Sequence, residues 1–119
     1  MRRALPIFRR GDIVSVPFPF IETNQRRRRP GLIVSDGILA GPFNIVWVAM
    51  ITGASHDRWP DDVDDGPAHA EFGLPIPCLI RVAKIAAITT DQASLVGLLE
   101  QSITDQAMAK IARILKHDD

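Results

Sequence analysis

Four consecutive arginines, Arg26, Arg27, Arg28 and Arg29, stand directly before Pro30 and the apolar run Leu32-Ile33-Val34. Such a run serves as a solvated loop, a localisation tag, an RNA-gripping surface, or a site where one arginine does chemistry. Pro30 biases Arg29 towards extended backbone and so fixes where its side chain leaves the chain. A second group follows the apolar segment "NIVWVAMI": Thr52, Ser55 and His56, two hydroxyls beside a side chain that titrates near neutrality. The third is Arg81, inside the otherwise apolar stretch "CLIRVAKI", where burial without a pocket or a partner would be very costly. Each also has a plain structural reading: Arg29 as loop charge, Thr52 as strand terminator, Arg81 as an outward-facing strand charge.

Other chemistries lack their residues. His56, His69 and His117 are scattered, without zinc-site spacing. "DDVDDG" resembles a calcium loop until it is aligned on Gly66, which puts Val63 and Phe72 where the third and twelfth positions need oxygen ligands. There is no phosphate-cradling Gly-Lys-Ser/Thr loop and no Gly-x-Ser-x-Gly elbow. Cys78, the single cysteine, enters a strand and reads as a buried, inert thiol. No metal and no cofactor is expected.

These residues need elements to position them. "IVSVPFPF" has the alternation and β-branching of a strand, which Pro17 and Pro19 confine to an edge or end early. Ile21 to Pro30 reads as a polar loop, Leu32–Val34 as a short buried strand, and residues 44–51 as the central strand, with Thr52 just beyond it. The segment Thr52–Pro77 is a long excursion holding most of the acids. "CLIRVAKIAAIT" suggests two strands meeting at Ala83-Lys84. A helix is weakly indicated over Gln92–Leu99. A terminal helix capped by Ser102 or Thr104 would bury Met108, Ile111, Ala112 and Leu115. The pattern predicts a mainly β fold, a small barrel with helices packed outside it.

At 119 residues, 46% hydrophobic and 24% charged, the chain fits one soluble globular domain spanning 1–119. No apolar run reaches the roughly 20 residues a membrane helix needs. The basic start lacks a secretory apolar segment, so a cytoplasmic location is expected. The zero net charge hides an asymmetry. Residues 1–30 hold eight arginines, whereas Asp57, Asp61, Asp62, Asp64, Asp65 and Glu71 face only Arg58 within residues 57–71. A basic surface and an acidic loop point to a polyanionic partner, and to a self-contact or a basic partner.

"GDIVSVPFPF", "RRRRPGLIVSD", "VWVAMITGASHDRWPDDV" and "EFGLPIPCLIRVAKIAAITTD" follow one another as the segments of the MazF/PemK family of toxins do. The chain resembles that family over nearly its whole length. The resemblance implies an SH3-like barrel (MazF/PemK/CcdB-like) with a C-terminal helix and short additional helices, usually homodimeric. It implies a ribosome-independent, metal-independent endoribonuclease that cuts single-stranded RNA at short sequences and is silenced by a cognate antitoxin. The family's functional arginine carries over to Arg29 and its threonine to Thr52. Arg81 matches a strand arginine that some relatives use at the phosphate. Two positions depart: Ala83 stands where some relatives have a carboxylate, and Thr52-Gly53 replaces a Thr-Ser pair, leaving Ser55 as the next hydroxyl.

A guanidinium offers a planar fork to phosphate oxygens but is a poor base. Arg29 is therefore expected to stabilise the phosphate and share in proton transfer, with Thr52 as a hydroxyl donor and His56 as a further proton carrier. Gln25, Arg26, Arg27 and Arg28 would hold the RNA backbone, and Trp59 would stack a base. The other class of function is a non-catalytic barrel acting by protein contact, as a gyrase-poisoning toxin of this fold does, or an inactive relative.

Overall fold

The computed structural model describes residues 8–19, 26–39, 43–66 and 69–116. Six strands form one curled antiparallel sheet: β1 (Asp12–Pro19), β2 (Arg26–Ile33), β3 (Ile45–Gly53), β4 (Val63–Asp64), β5 (Cys78–Thr89) and β6 (Ser94–Leu98). Their spatial order is β4-β5-β3-β2-β1-β6. Helix α1 (Gln101–Leu115) closes the chain, and short 3-10 turns cover His69–Phe72 and Thr90–Gln92.

Both faces of the sheet are apolar, which explains its near-continuous hydrophobic runs. Val14, Val16, Phe18, Ile33, Val46, Val48 and Met50 pack on one face. Ile13, Leu32, Ala49, Ile51, Ile80 and Val82 pack on the other with Ile103, Ala107 and Ile111 of α1. Fully burying each such aliphatic side chain contributes roughly 1.5–3 kcal/mol.

Several elements differ from the expectations above. The arginine run is not a loop: Arg26 to Pro30 are the first half of β2, paired with Pro19 to Ser15. Pro17 and Pro19 are tolerated because β6 pairs only Asp12–Ser15, so the rest of β1 is edge on that side. Thr52 lies inside β3, opposite Leu79. The Ala83-Lys84 step does not divide two strands. Ala49 pairs with Ile85 and Met50 with Arg81, so Val82, Ala83 and Lys84 are a bulge within one strand.

Within the Gln92–Leu99 stretch Gln92 ends a 3-10 turn and Ser94–Leu98 form β6 rather than a helix, because β1 offers an open edge and strand pairing overrides weak local preference. Gly97 permits this, since a methyl there would run into the Phe72 carbonyl. Helix α1 starts earlier than expected, with Glu100 at the N-cap, and buries Ile103, Thr104, Ala107 and Ile111. Ser102 lies within its first turn and donates to Glu100 Oε1 at 2.7 Å, so neither expected cap residue serves as one. Met108 is only partly buried, Ala112 is exposed, and Leu115 is 74% exposed. Met108, Ile111, Ile114 and Leu115 line, with Trp47 and Ile85, an open apolar groove of about 620 Å³.

Candidate active site and nucleic-acid interface

The hairpin of β1 and β2 sorts the arginines by alternation. Arg27 and Arg29 stand opposite Phe18 and Val16, and Arg28 stands opposite Pro17. Cross-strand partners share a face, so Arg27 and Arg29 project on the face of Val14, Val16 and Phe18 and Arg28 on the other. Arg27 is exposed and Arg29 half-buried. Arg28 is exposed too, yet its donors are engaged. Its Nε donates to Ser15 Oγ at 3.1 Å, and its Nη2 donates to the carbonyls of Ser15 at 2.6 Å and Gln92 at 3.0 Å. It reaches over β1 to the segment leading into β6. Gln25 and the side chain of Arg26 lie outside the described residues.

Thr52 is buried on β3. It is two residues from Met50, which packs with Val16 and Phe18, so Thr52 and Arg29 belong to the same face of the sheet. The β2–β3 ladder pairs Ile33 with Val48 and Gly31 with Met50. Continued by two residues, that register sets Arg29 level with Thr52. Gly31 lets the strands approach here, because a methyl at that position would run into Val48. The turn after β3 gathers the other candidates: a methyl on Gly53 would sit 3.6 Å from His56 Cδ2 and 3.9 Å from Ser55 Oγ. The His56 N–H closes that turn on the Gly53 carbonyl at 3.1 Å. Both side chains are exposed. Arg29 and Thr52 thus belong to one face at this end of β2 and β3, whereas Ser55 and His56 stand on the following turn, beside Gly53, whose Cβ direction is the opposite face.

Arg81 has a different setting. It is buried, and its Nη2 forms a 3.0 Å ion pair with Asp62 Oδ2; the two side chains are 9% and 0% exposed. Nε also donates to Asp62 Oδ1 at 3.3 Å, and Nη2 donates to the Asp57 carbonyl at 2.7 Å. Its Cζ lies 4.1 Å above the ring of Trp59. Asp62 is the partner of Arg81 that the sequence did not single out. An arginine inside an apolar strand signals a buried anion, but six acids lie in the adjacent excursion and nothing local selects among them.

Cys78 is inert. Its thiol is buried, donates to the Ile76 carbonyl at 3.1 Å, and burial pushes its pKa up to about 11. Asp65, beside it, is 2% exposed, and its Oδ2 has no hydrogen-bond partner. Burial raises its pKa, partly offset by the Cys78 backbone and His69. Among the described residues no three His, Cys, Asp or Glu side chains gather as metal ligands. No helix among them is long and apolar enough to cross a membrane.

Residues 9–117 match the family model for PemK-like, MazF-like toxins of type II toxin–antitoxin systems. A search of curated proteins found no match. Among solved structures, the fold is similar to a MazE–MazF complex from Deinococcus radiodurans, with a TM-score of 0.70 at 16% identity over 95% of this chain and 99% of that one. It is also similar to Mycobacterium tuberculosis toxin MazF-mt6, with a TM-score of 0.63 at 20% identity over 89% and 98% of the two chains. A third, described as an endoribonuclease in complex with its cognate antitoxin from a mycobacterial species, has a TM-score of 0.63 at 17% identity over 92% and 98%.

Proposed function

The chain belongs to the MazF-like, PemK-like toxins of type II toxin–antitoxin systems, and we propose that it acts as an endoribonuclease cutting single-stranded RNA without a metal ion. The observation that supports this reading is the β2–β3 ladder, whose last pair is Gly31 with Met50: Arg29 and Thr52 each lie two residues beyond it, on the face of Met50. Cleavage of this kind uses the RNA's own 2′-hydroxyl as nucleophile. The new bond forms between that oxygen and phosphorus, and the bond to the leaving 5′-oxygen breaks. The protein must take the 2′-hydroxyl proton, return one to the 5′-oxygen, and hold the charge that gathers on the non-bridging oxygens.

Arg29 supplies the last of these through its planar fork, and Thr52 adds a hydroxyl donor beside it. Positioned donors of this kind are typically worth about 10²–10³ in rate each. His56, exposed on the turn that follows β3, is the imidazole offered as a further proton carrier. Arg27 extends the positive surface on the same face and would track the RNA backbone. The further partners we propose are a second copy of the chain and a cognate antitoxin. Two of the structures similar in fold, the MazE–MazF complex and the endoribonuclease with its cognate antitoxin, are themselves complexes.

A non-catalytic barrel that acts by protein contact is the second reading. It is favoured by the exposed apolar groove along α1, with Trp47, Ile85, Ile114 and Leu115 on its walls. One experiment separates the two. The purified chain is incubated with a long RNA in chelator and the new ends are mapped. Cuts at a short recurrent sequence, lost in Arg29→Ala and in Thr52→Val, support the nuclease. Intact RNA beside a folded parent protein favours the binding module.

A further inference from the structure

The Arg81–Asp62 pair does more than neutralise itself. Asp62 Oδ2 accepts the backbone N–H of Trp59 at 2.9 Å and the guanidinium of Arg81 at 3.0 Å. The same guanidinium covers the Trp59 ring at 4.1 Å. One buried carboxylate therefore fixes the tryptophan at its backbone and, through Arg81, at its ring. The segment is also held from α1: Lys110 Nζ donates to the Asp62 carbonyl at 3.4 Å, and Arg113 pairs with Asp61. Asp61 adopts a left-handed φ of 68°, within a turn closed by the Asp62 N–H donating to the Trp59 carbonyl at 3.2 Å.

Despite these restraints Trp59 remains 43% exposed. A buried ion pair is a poor way to gain stability, since apolar residues of equal volume serve at least as well. An aromatic ring that is exposed but fixed is a good stacking surface, because little motion is left to lose when a base stacks on it. Arg81 stands opposite Met50, two residues from Thr52 along β3, roughly 7 Å at the usual strand rise. Neighbouring nucleotides of one strand could therefore reach both.

We propose that Arg81 and Asp62 are a positioning pair that presents Trp59 as a fixed stacking platform for one unpaired nucleobase beside the cut, and so sets base preference there. Arg81 is then not a phosphate ligand. This deepens the nuclease reading and rests on it.

The test uses the full chain carrying Trp47→Phe, which leaves Trp59 as the one tryptophan reporter. An oligoribonucleotide made uncleavable by a 2′-deoxy residue at the cut should quench Trp59 fluorescence. Cleavable versions with single bases deleted in turn should reveal one position whose loss raises KM about tenfold, the scale of one stacked base, and leaves kcat nearly unchanged. Trp59→Ala and the double variant Arg81→Met with Asp62→Leu should erase that sensitivity, and Trp59→Phe should keep most of it. Should the double variant fail to fold, the two Trp59 variants decide by themselves. Unchanged base sensitivity in Trp59→Ala overturns the proposal while the nuclease stands. So does a collapse of kcat at unchanged KM in a folded Arg81 variant, which returns Arg81 to the phosphate. A parent chain that neither cuts nor is quenched overturns the nuclease reading and this proposal together.

Discussion

The guanidinium of Arg28 donates to the carbonyl of Gln92 at 3.0 Å, joining residues from opposite sides of β1. The same group holds the Ser15 carbonyl, so one arginine fastens β2, β1 and the approach to β6. Its neighbour Arg27, one residue away, projects from the other face. Two adjacent arginines therefore have different settings, one on each face.

Arg28→Ala should destabilise the fold by about 1 kcal/mol, a modest value because the group is exposed. It should leave the salt dependence of RNA binding nearly unchanged. Arg27→Ala should do the reverse, reducing the slope of log K against log salt by about one while stability is kept. Urea denaturation and a salt titration of RNA affinity distinguish the two.

Removing one member of the Arg81–Asp62 pair strands the other in a buried site. Arg81→Ala should cost about 3–5 kcal/mol, and Arg81→Met with Asp62→Leu should recover most of the loss. If the single and double variants prove equally unstable in urea, packing rather than charge governs the site.

Asp65 should make stability fall as pH rises. Burial lifts its native pKa above the ordinary 3.8. The unfolded chain therefore releases this proton first, and the native state binds more protons between the two values. Stability from this group is present at low pH, declines as pH rises through the native value, and then levels off. Asp65→Asn should flatten that component in denaturation curves taken between about pH 4 and 7.

Cys78 should resist alkylation. A thiol pushed up to about 11 is scarcely ionised near neutrality, and the thiolate is the reactive form. Iodoacetamide at about pH 8 should modify the native protein at least roughly a hundredfold more slowly than the urea-unfolded chain. Comparable rates would place the thiol at the surface.

Gly97→Ala should be costly although the residue is not deeply buried. The added methyl meets the carbonyl oxygen of Phe72, a backbone atom that cannot rotate away. A loss of about 1–3 kcal/mol is expected, on the scale of overpacking, with the β6–β1 pairing disturbed first. Amide exchange along β6 reads that directly.

What the sequence determined by itself is what local pattern encodes. The alternation of Val14, Val16 and Phe18, the apolar run of β3 and the existence of a terminal helix burying Ile111 are properties of short windows, although Met108, Ala112 and Leu115, expected on its buried stripe, are not buried there. The MazF/PemK resemblance and the pairing of Arg29 with Thr52 as candidates were legible there too, because their segments follow in order along the chain. The tertiary structure decided the rest by choosing partners. Ser94–Leu98 became a strand because β1 had an unpaired edge. Arg28 became a fastener because its strand register turned it towards Ser15 and Gln92. Asp62, rather than any neighbouring acid, met Arg81 because β4 carries it alongside β5. Helix α1 buried Thr104 and left Leu115 exposed because the curve of the sheet, not helical period alone, fixes which stripe faces inward. Side-chain period is local and can be read from the chain, whereas the partner of a charge depends on residues far away in sequence and is set only when the strands pair.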